Sequence, residues 1–190
     1  IFLPPSFNMF HVSDKGYKED FSHSTKKIFF GIKSCDIHGL LILDKFFEQA
    51  YLDPYYFEAR KNTLILGLSC LPDEYCFAKS TNTHFIEEGF DLFFTNLKDF
   101  FLVWIGSRQG DDLIRLKPEL FDENLTDKDI KSYINWQAER DKAYKLNMNF
   151  TGLPDLMELK YRDPLWEKLG DACLACGSCT NVCPTCNCYK

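Results

Sequence analysis

The chain has 190 residues, 45% of them hydrophobic and 18 of them phenylalanine, enough for one packed domain and a smaller appended module. A formal net charge of −6 without a basic patch argues against a nucleic-acid partner, and no apolar run reaches the roughly 18 residues that a bilayer span needs. Nine cysteines, an odd number crowded toward one end, without a secretory segment, point away from a disulfide framework and toward a reducing, oxygen-poor cytoplasm.

Residues 1–25 are aromatic and proline-bearing, with no clear period. Lys27-Ile28-Phe29-Phe30-Gly31-Ile32 is short, apolar and followed by turn-like residues, the pattern of a buried strand. It runs into Ser34-Cys35-Asp36 and a helical spacing of Leu40, Leu41, Leu43, Phe46 and Phe47. A second such strand, Thr63 to Leu68, ends at Ser69-Cys70-Leu71-Pro72. Continuous apolar strands alternating with helix predict a sheet covered on both faces. Residues 90–95 and 100–105 read as an antiparallel pair, and Arg108-Gln109-Gly110-Asp111 as a turn.

From Thr126 the pattern changes. Thr126 suits a helix N-cap, with Asp127 and Asp129 in the first turn. Ile130, Tyr133, Ile134, Gln137, Tyr144 and Leu146 then mark a long charged helix. Residues 155–160 and 164–169 are expected as short helices. The expected fold is α+β: an α/β domain with a mixed sheet over 1–120, a helical connector over 121–170, and the first half of a ferredoxin-like module over 171–190.

That last segment carries the densest chemistry. Cys173, Cys176, Cys179 and Cys183, the last followed by Pro184, repeat the Cys-x2-Cys-x2-Cys-x3-Cys-Pro run that holds [4Fe–4S] clusters. Ala175, Gly177 and Ser178 are small enough for the backbone to curl closely and aim N–H groups at sulfur. In two-cluster ferredoxins the fourth cysteine serves the neighbouring cluster. A structural zinc site normally takes two Cys-x2-Cys pairs around a longer loop, which fits this run less well. A second run of the same kind should follow and does not, so the chain is expected to be a fragment of a longer protein.

Cys35 and Cys70 occupy matching places, each just past a predicted buried strand, and Cys76 follows in the next loop. Strand ends of an α/β sheet gather at one edge, where ligands bind. Two readings fit the spacing equally: three thiols converging on one site, or three small core residues.

The segments 30–44, 65–77 and 88–94, together with the run from Cys173 through Cys188, resemble the iron–sulfur beta subunit of soluble [NiFe] sulfhydrogenases. The electron-transfer subunit of anaerobic sulfite reductase is similar in the same regions. The resemblance covers nearly the whole chain. It implies an electron-transfer subunit with up to three [4Fe–4S] clusters in the intact protein, one of them on Cys35, Cys70 and Cys76. It implies two partners. One is a flavin- and NAD(P)-binding subunit. The other is either a hydrogenase small subunit or a sulfite-reducing subunit. The chain departs from the family where Cys-Phe-Cys is common and Cys76-Phe77-Ala78 stands instead. Asp36 and Glu74 are then candidates for a fourth ligand, and a carboxylate, harder than thiolate, would alter the potential.

Cys186 and Cys188 fit local packing or a substitute ligand, and His38 fits either a hydrogen bond to the proposed site or a polar helix N-terminus. No Gly-x-Gly-x-x-Gly turn and no nucleophile–base arrangement stands out. The competing classes are a zinc-binding interaction module and a free-standing ferredoxin-like carrier. A large α/β domain is surplus to the needs of a diffusing carrier.

Overall fold

The computed structural model describes residues 2–49, 51–183 and 186. Strands β1 (Phe10–Ser13) and β2 (Gly16–Glu19) form a separate, exposed antiparallel hairpin. The main sheet has four strands in chain order: β3 (Lys27–Ile32), β4 (Thr63–Leu68), β5 (Leu92–Asn96) and β6 (Phe101–Ile105). The first three are parallel and β6 returns antiparallel, pairing Phe93 with Trp104. The mixed sheet and the antiparallel pair match the sequence expectation.

Helix α1 (Ser34–Glu48) follows β3 and lays Ile37, Leu40 and Leu43 on the sheet. Its approach is close: a Cβ on Gly67 would collide with the Phe93 ring and stand 3.2 Å from Ile37 Cδ1. Helix α2 (Pro54–Lys61) starts at Asp53, whose carboxylate accepts from the N–H groups of Tyr55 and Tyr56 at 2.9 and 3.0 Å. Tyr56 and Ala59 join Phe2, Ile65, Phe90 and Phe93 in the core. Buried Asp91 bolts the centre: its side chain accepts from the Ile65 N–H at 2.7 Å and from the Ser107 hydroxyl.

Residues 108–111, expected as a turn, instead begin helix α3 (Arg108–Arg115). Ser107 caps it by accepting from the Gly110 N–H at 3.1 Å, and Asp111 pairs with Arg115 one turn on. Helix α4 (Asp127–Ala143) starts at Thr126 as expected, in a reciprocal cap with Asp129. It ends before Tyr144, one turn short of the sequence expectation. Three short helices follow: α5 (Leu153–Leu159), α6 (Leu165–Ala172) and α7 (Ser178–Val182). Among the described residues none of these three helices contributes a buried side chain, and no ferredoxin-like sheet surrounds the cysteine run. No helix among the described residues is long and apolar enough to cross a membrane.

Candidate functional site

Because β3 and β4 are parallel neighbours, their C-terminal ends lie at one edge of the sheet. β3 leads through Lys33 into the first turn of α1, which carries Cys35 and Asp36. β4 ends at Leu68, Ser69 extends the ladder by donating its N–H to the Phe94 carbonyl at 2.9 Å, and Cys70 follows. The next loop folds back, with Asp73 accepting from the Tyr75 N–H at 2.9 Å, and presents Cys76.

The three thiols share one neighbourhood. Cys35 is open to solvent on one side, yet partial desolvation pushes its thiol up, followed by the Asp36 carboxylate and then Cys70, with Cys76 a smaller influence. Desolvation also raises Cys70, with Lys33 pulling it down, Cys76 raising it and Arg140 pulling down again. Tyr144 looks onto the same thiols. Burial pushes its phenol up to about 12, Arg140 opposes the rise, and Cys76 and Cys70 add to it. Cys35 is exposed and Cys70 and Cys76 are half-buried, which does not suit small core residues.

Among the described residues no three His, Cys, Asp or Glu side chains already stand in the geometry of a bound metal ion. Ligands at such sites commonly gather as the metal binds. The chemistry of the donor set suits an iron–sulfur group: soft thiols at one sheet edge, with cationic Lys33 and Arg140 beside them to offset thiolate charge. Asp36 and Glu74 are both exposed, and Asp36 acts on both Cys35 and Cys70. His38 commits its Nε2 to the Phe85 carbonyl at 2.9 Å, tying α1 to the segment before β5.

In the second cysteine run, Cys173 caps the C-terminus of α6 and Cys179 lies in α7. Between them Ala175 and Gly177 take left-handed backbone angles, φ 50° and 72°, a reversal that costs alanine more than glycine. The Ala175 N–H donates to Cys173 Sγ at 3.4 Å, the kind of N–H to sulfur contact expected of a tight cluster loop. Cys176 donates to Ser178 Oγ at 3.3 Å, and the Ser178 hydroxyl and backbone hold its thiol below the usual range. Cys173, Cys176 and Cys179 are exposed, Cys183 is half-buried, and the Cys186 N–H donates to the Cys183 carbonyl at 3.3 Å. Cys188 lies outside the described residues.

Lys33, Arg140 and Tyr144 were not singled out as site residues from the sequence. Arg140 and Tyr144 are brought beside Cys70 by α4, about seventy residues on, and no spacing rule connects them.

No family model matches the chain, and no solved structure matches it. One curated relative, sulfhydrogenase 2 subunit beta of Pyrococcus furiosus, is 41% identical over 189 residues, a match that covers 100% of this chain and 56% of the relative. The chain thus spans a little over half the length of the relative it matches. On the strength of that match along its whole length, the chain belongs to the sulfhydrogenase beta subunit family.

Proposed function

We propose that this chain is the electron-transfer part of a multisubunit anaerobic oxidoreductase of the hydrogenase and sulfur-reductase type. The observation that supports the reading is that Cys35, Cys70 and Cys76 follow the C-terminal ends of the parallel strands β3 and β4 and lie near enough to influence one another's ionisation, with Lys33 and Arg140 acting on Cys70. These thiols would hold one [4Fe–4S] cluster, with Asp36 the candidate fourth ligand. Cys173, Cys176 and Cys179 would hold a second, and Cys183 would serve a third in the intact protein. Such clusters, when bound, take up and release single electrons at potentials set by burial, hydrogen bonds and charge. The protein's own part would be to carry the thiols on the helix and loops that follow the strand ends and on the later cysteine loop, supply cationic side chains and aim N–H groups at sulfur. The proposed partners are a hydrogenase small subunit, or alternatively a sulfite-reducing subunit, together with a flavin- and NAD(P)-binding subunit. The proposed location is the cytoplasm.

The test is iron, acid-labile sulfide and zinc per chain on full-length protein purified without oxygen. Iron and sulfide in near-equal amounts are expected, and Cys35→Ser or Cys70→Ser should remove about four of each. Zinc at about one per chain without sulfide would replace this reading with a zinc-binding interaction module. Iron unchanged in both variants would remove the N-terminal site.

A further inference from the structure

Next to the cysteine edge lies a half-open cavity of about 700 Å³, within the usual size range of small-molecule sites. Phe93 and Thr95 of β5 and Trp104 of β6 form its floor, and Tyr133, Trp136 and Arg140 of α4 form a wall. Trp104 and Tyr133 have centroids 5.8 Å apart with their planes tilted by 57°, and Tyr133 and Trp136 lie nearly parallel, 12° apart in plane and 6.2 Å between centroids.

Four buried side-chain atoms lining this cavity have no hydrogen-bond partner: Ser69 Oγ, His84 Nδ1, Arg140 Nε and Asp141 Oδ1. Each such atom left bare costs on the order of 1–3 kcal/mol, so four in one cavity call for something that pairs them. Two of the four are fixed in role, one as a donor and one as an acceptor. Arg140, only 7% exposed, is held by its Nη1 donating to the His84 carbonyl at 3.1 Å and by its guanidinium lying 4.9 Å over the Trp136 ring. Asp141 Oδ2 lies 3.7 Å from Lys79 Nζ across a half-exposed ion pair. Arg140 Nε and Asp141 Oδ1 are left 3.8 Å apart, an ion pair too long to be a hydrogen bond. An anchored donor thus sits beside a carboxylate acceptor next to a cluster of aromatic rings. The His84 imidazole, kept neutral at ordinary pH by burial and then by Arg140, supplies a ring nitrogen that adapts to either role, as does the Ser69 hydroxyl.

The complementary edge is a ring nitrogen that accepts next to an exocyclic amine that donates. We propose that this cavity binds the ring of an amino-substituted nitrogen heterocycle of the adenine type, stacked on Trp104, with Arg140 Nε donating to the ring nitrogen and Asp141 Oδ1 accepting from the amine. An oxo heterocycle of the hypoxanthine type reverses both roles and sets a carbonyl oxygen against the Asp141 carboxylate. The inference stands whether or not the cysteines hold a cluster.

Equilibrium dialysis of adenosine and inosine against the full-length protein, purified without oxygen, tests it. Adenosine is expected to bind saturably and inosine about tenfold or more weakly, the consequence of one mispaired buried polar group. Asp141→Asn replaces the acceptor with an amide that also donates, so it should weaken adenosine and narrow or reverse the preference. Trp104→Leu should weaken both nucleosides alike, by about tenfold, through lost stacking. Absence of saturable adenosine binding, which would leave the four atoms to water, overturns the proposal. So does equal affinity for the two nucleosides that Asp141→Asn leaves unchanged. If Asp141→Asn does not fold by circular dichroism, Trp104→Leu decides, and undiminished adenosine affinity in that variant overturns it.

Discussion

Tyr56 carries its hydroxyl into the core and sets it against a carboxylate. The hydroxyl donates to Asp44 Oδ1 at 2.6 Å, while Arg60 Nε donates to Asp44 Oδ2 at 3.3 Å. The ring stacks on Phe47 at 4.2 Å and meets Phe2 edge-on at 5.5 Å. Burial first, and the Asp44 carboxylate after it, push the phenol far above its ordinary value. The folded state therefore keeps this proton in alkali where the unfolded chain gives it up. The stabilisation is fully present below about pH 10, the unfolded value, and is lost as pH rises from there toward the folded-state value. Tyr56→Phe should cost about 1.5 kcal/mol near neutrality, the worth of a hydrogen bond to a charged group. It should also flatten the loss of stability above about pH 10. Urea melts of both proteins at neutral and alkaline pH measure the two effects, and a parallel alkaline loss in the variant would assign the slope to another group.

At the scale of the element, α4 shows why part of this protein is readable from its sequence and part is not. Its start is local chemistry: the Thr126 N–H donates to Asp129 Oδ2 at 3.0 Å and the Asp129 N–H to Thr126 Oγ1 at 3.4 Å. Thr126→Ala should cost about 1 kcal/mol, seen as faster hydrogen exchange at the first-turn amides of α4, with the sheet amides unchanged. The same locality made β3 to β6 legible, since each is a continuous apolar run between polar breaks. The signal for α2 was smaller: Asp53-Pro54 is a cap followed by the proline that suits a first helical turn, but Tyr55-Tyr56-Phe57 does not look helical by propensity. α3 was hidden by Gly110, which reads as a turn residue. It sits in the helix because α3 presses against the Asp91 carbonyl, where a Cβ would clash. That Cys35 and Cys70 each follow a buried strand was legible from the strand pattern, whereas Arg140 beside Cys70 depends on how α4 docks, and no local pattern encodes docking.

The whole molecule departs from the expectation of a sheet covered on both faces. α1 covers one face, yet Ile28 and Phe30 of β3 are 57% and 67% exposed, and Phe101 of β6 is 54% exposed. Phe30, Phe94 and Phe101 form a chain of edge-on rings, 6.0 and 6.3 Å between centroids, across that open side. A continuous apolar run does not ensure burial on both sides, because hydrophobicity reports what a residue tolerates, not what lies over it. The two faces should answer differently to mutation. Ile65 is fully buried in the core, and Ile65→Ala should destabilise by about 2–5 kcal/mol through lost transfer energy and an unfilled cavity. Phe30→Ser removes a larger side chain, but one that water already reaches. It should change the unfolding free energy from urea melts by no more than about 0.5 kcal/mol while reducing the binding of a hydrophobic dye to the native state. A loss at Phe30 as large as at Ile65 would mean that this face is covered in solution, and would place Phe30 in a buried contact.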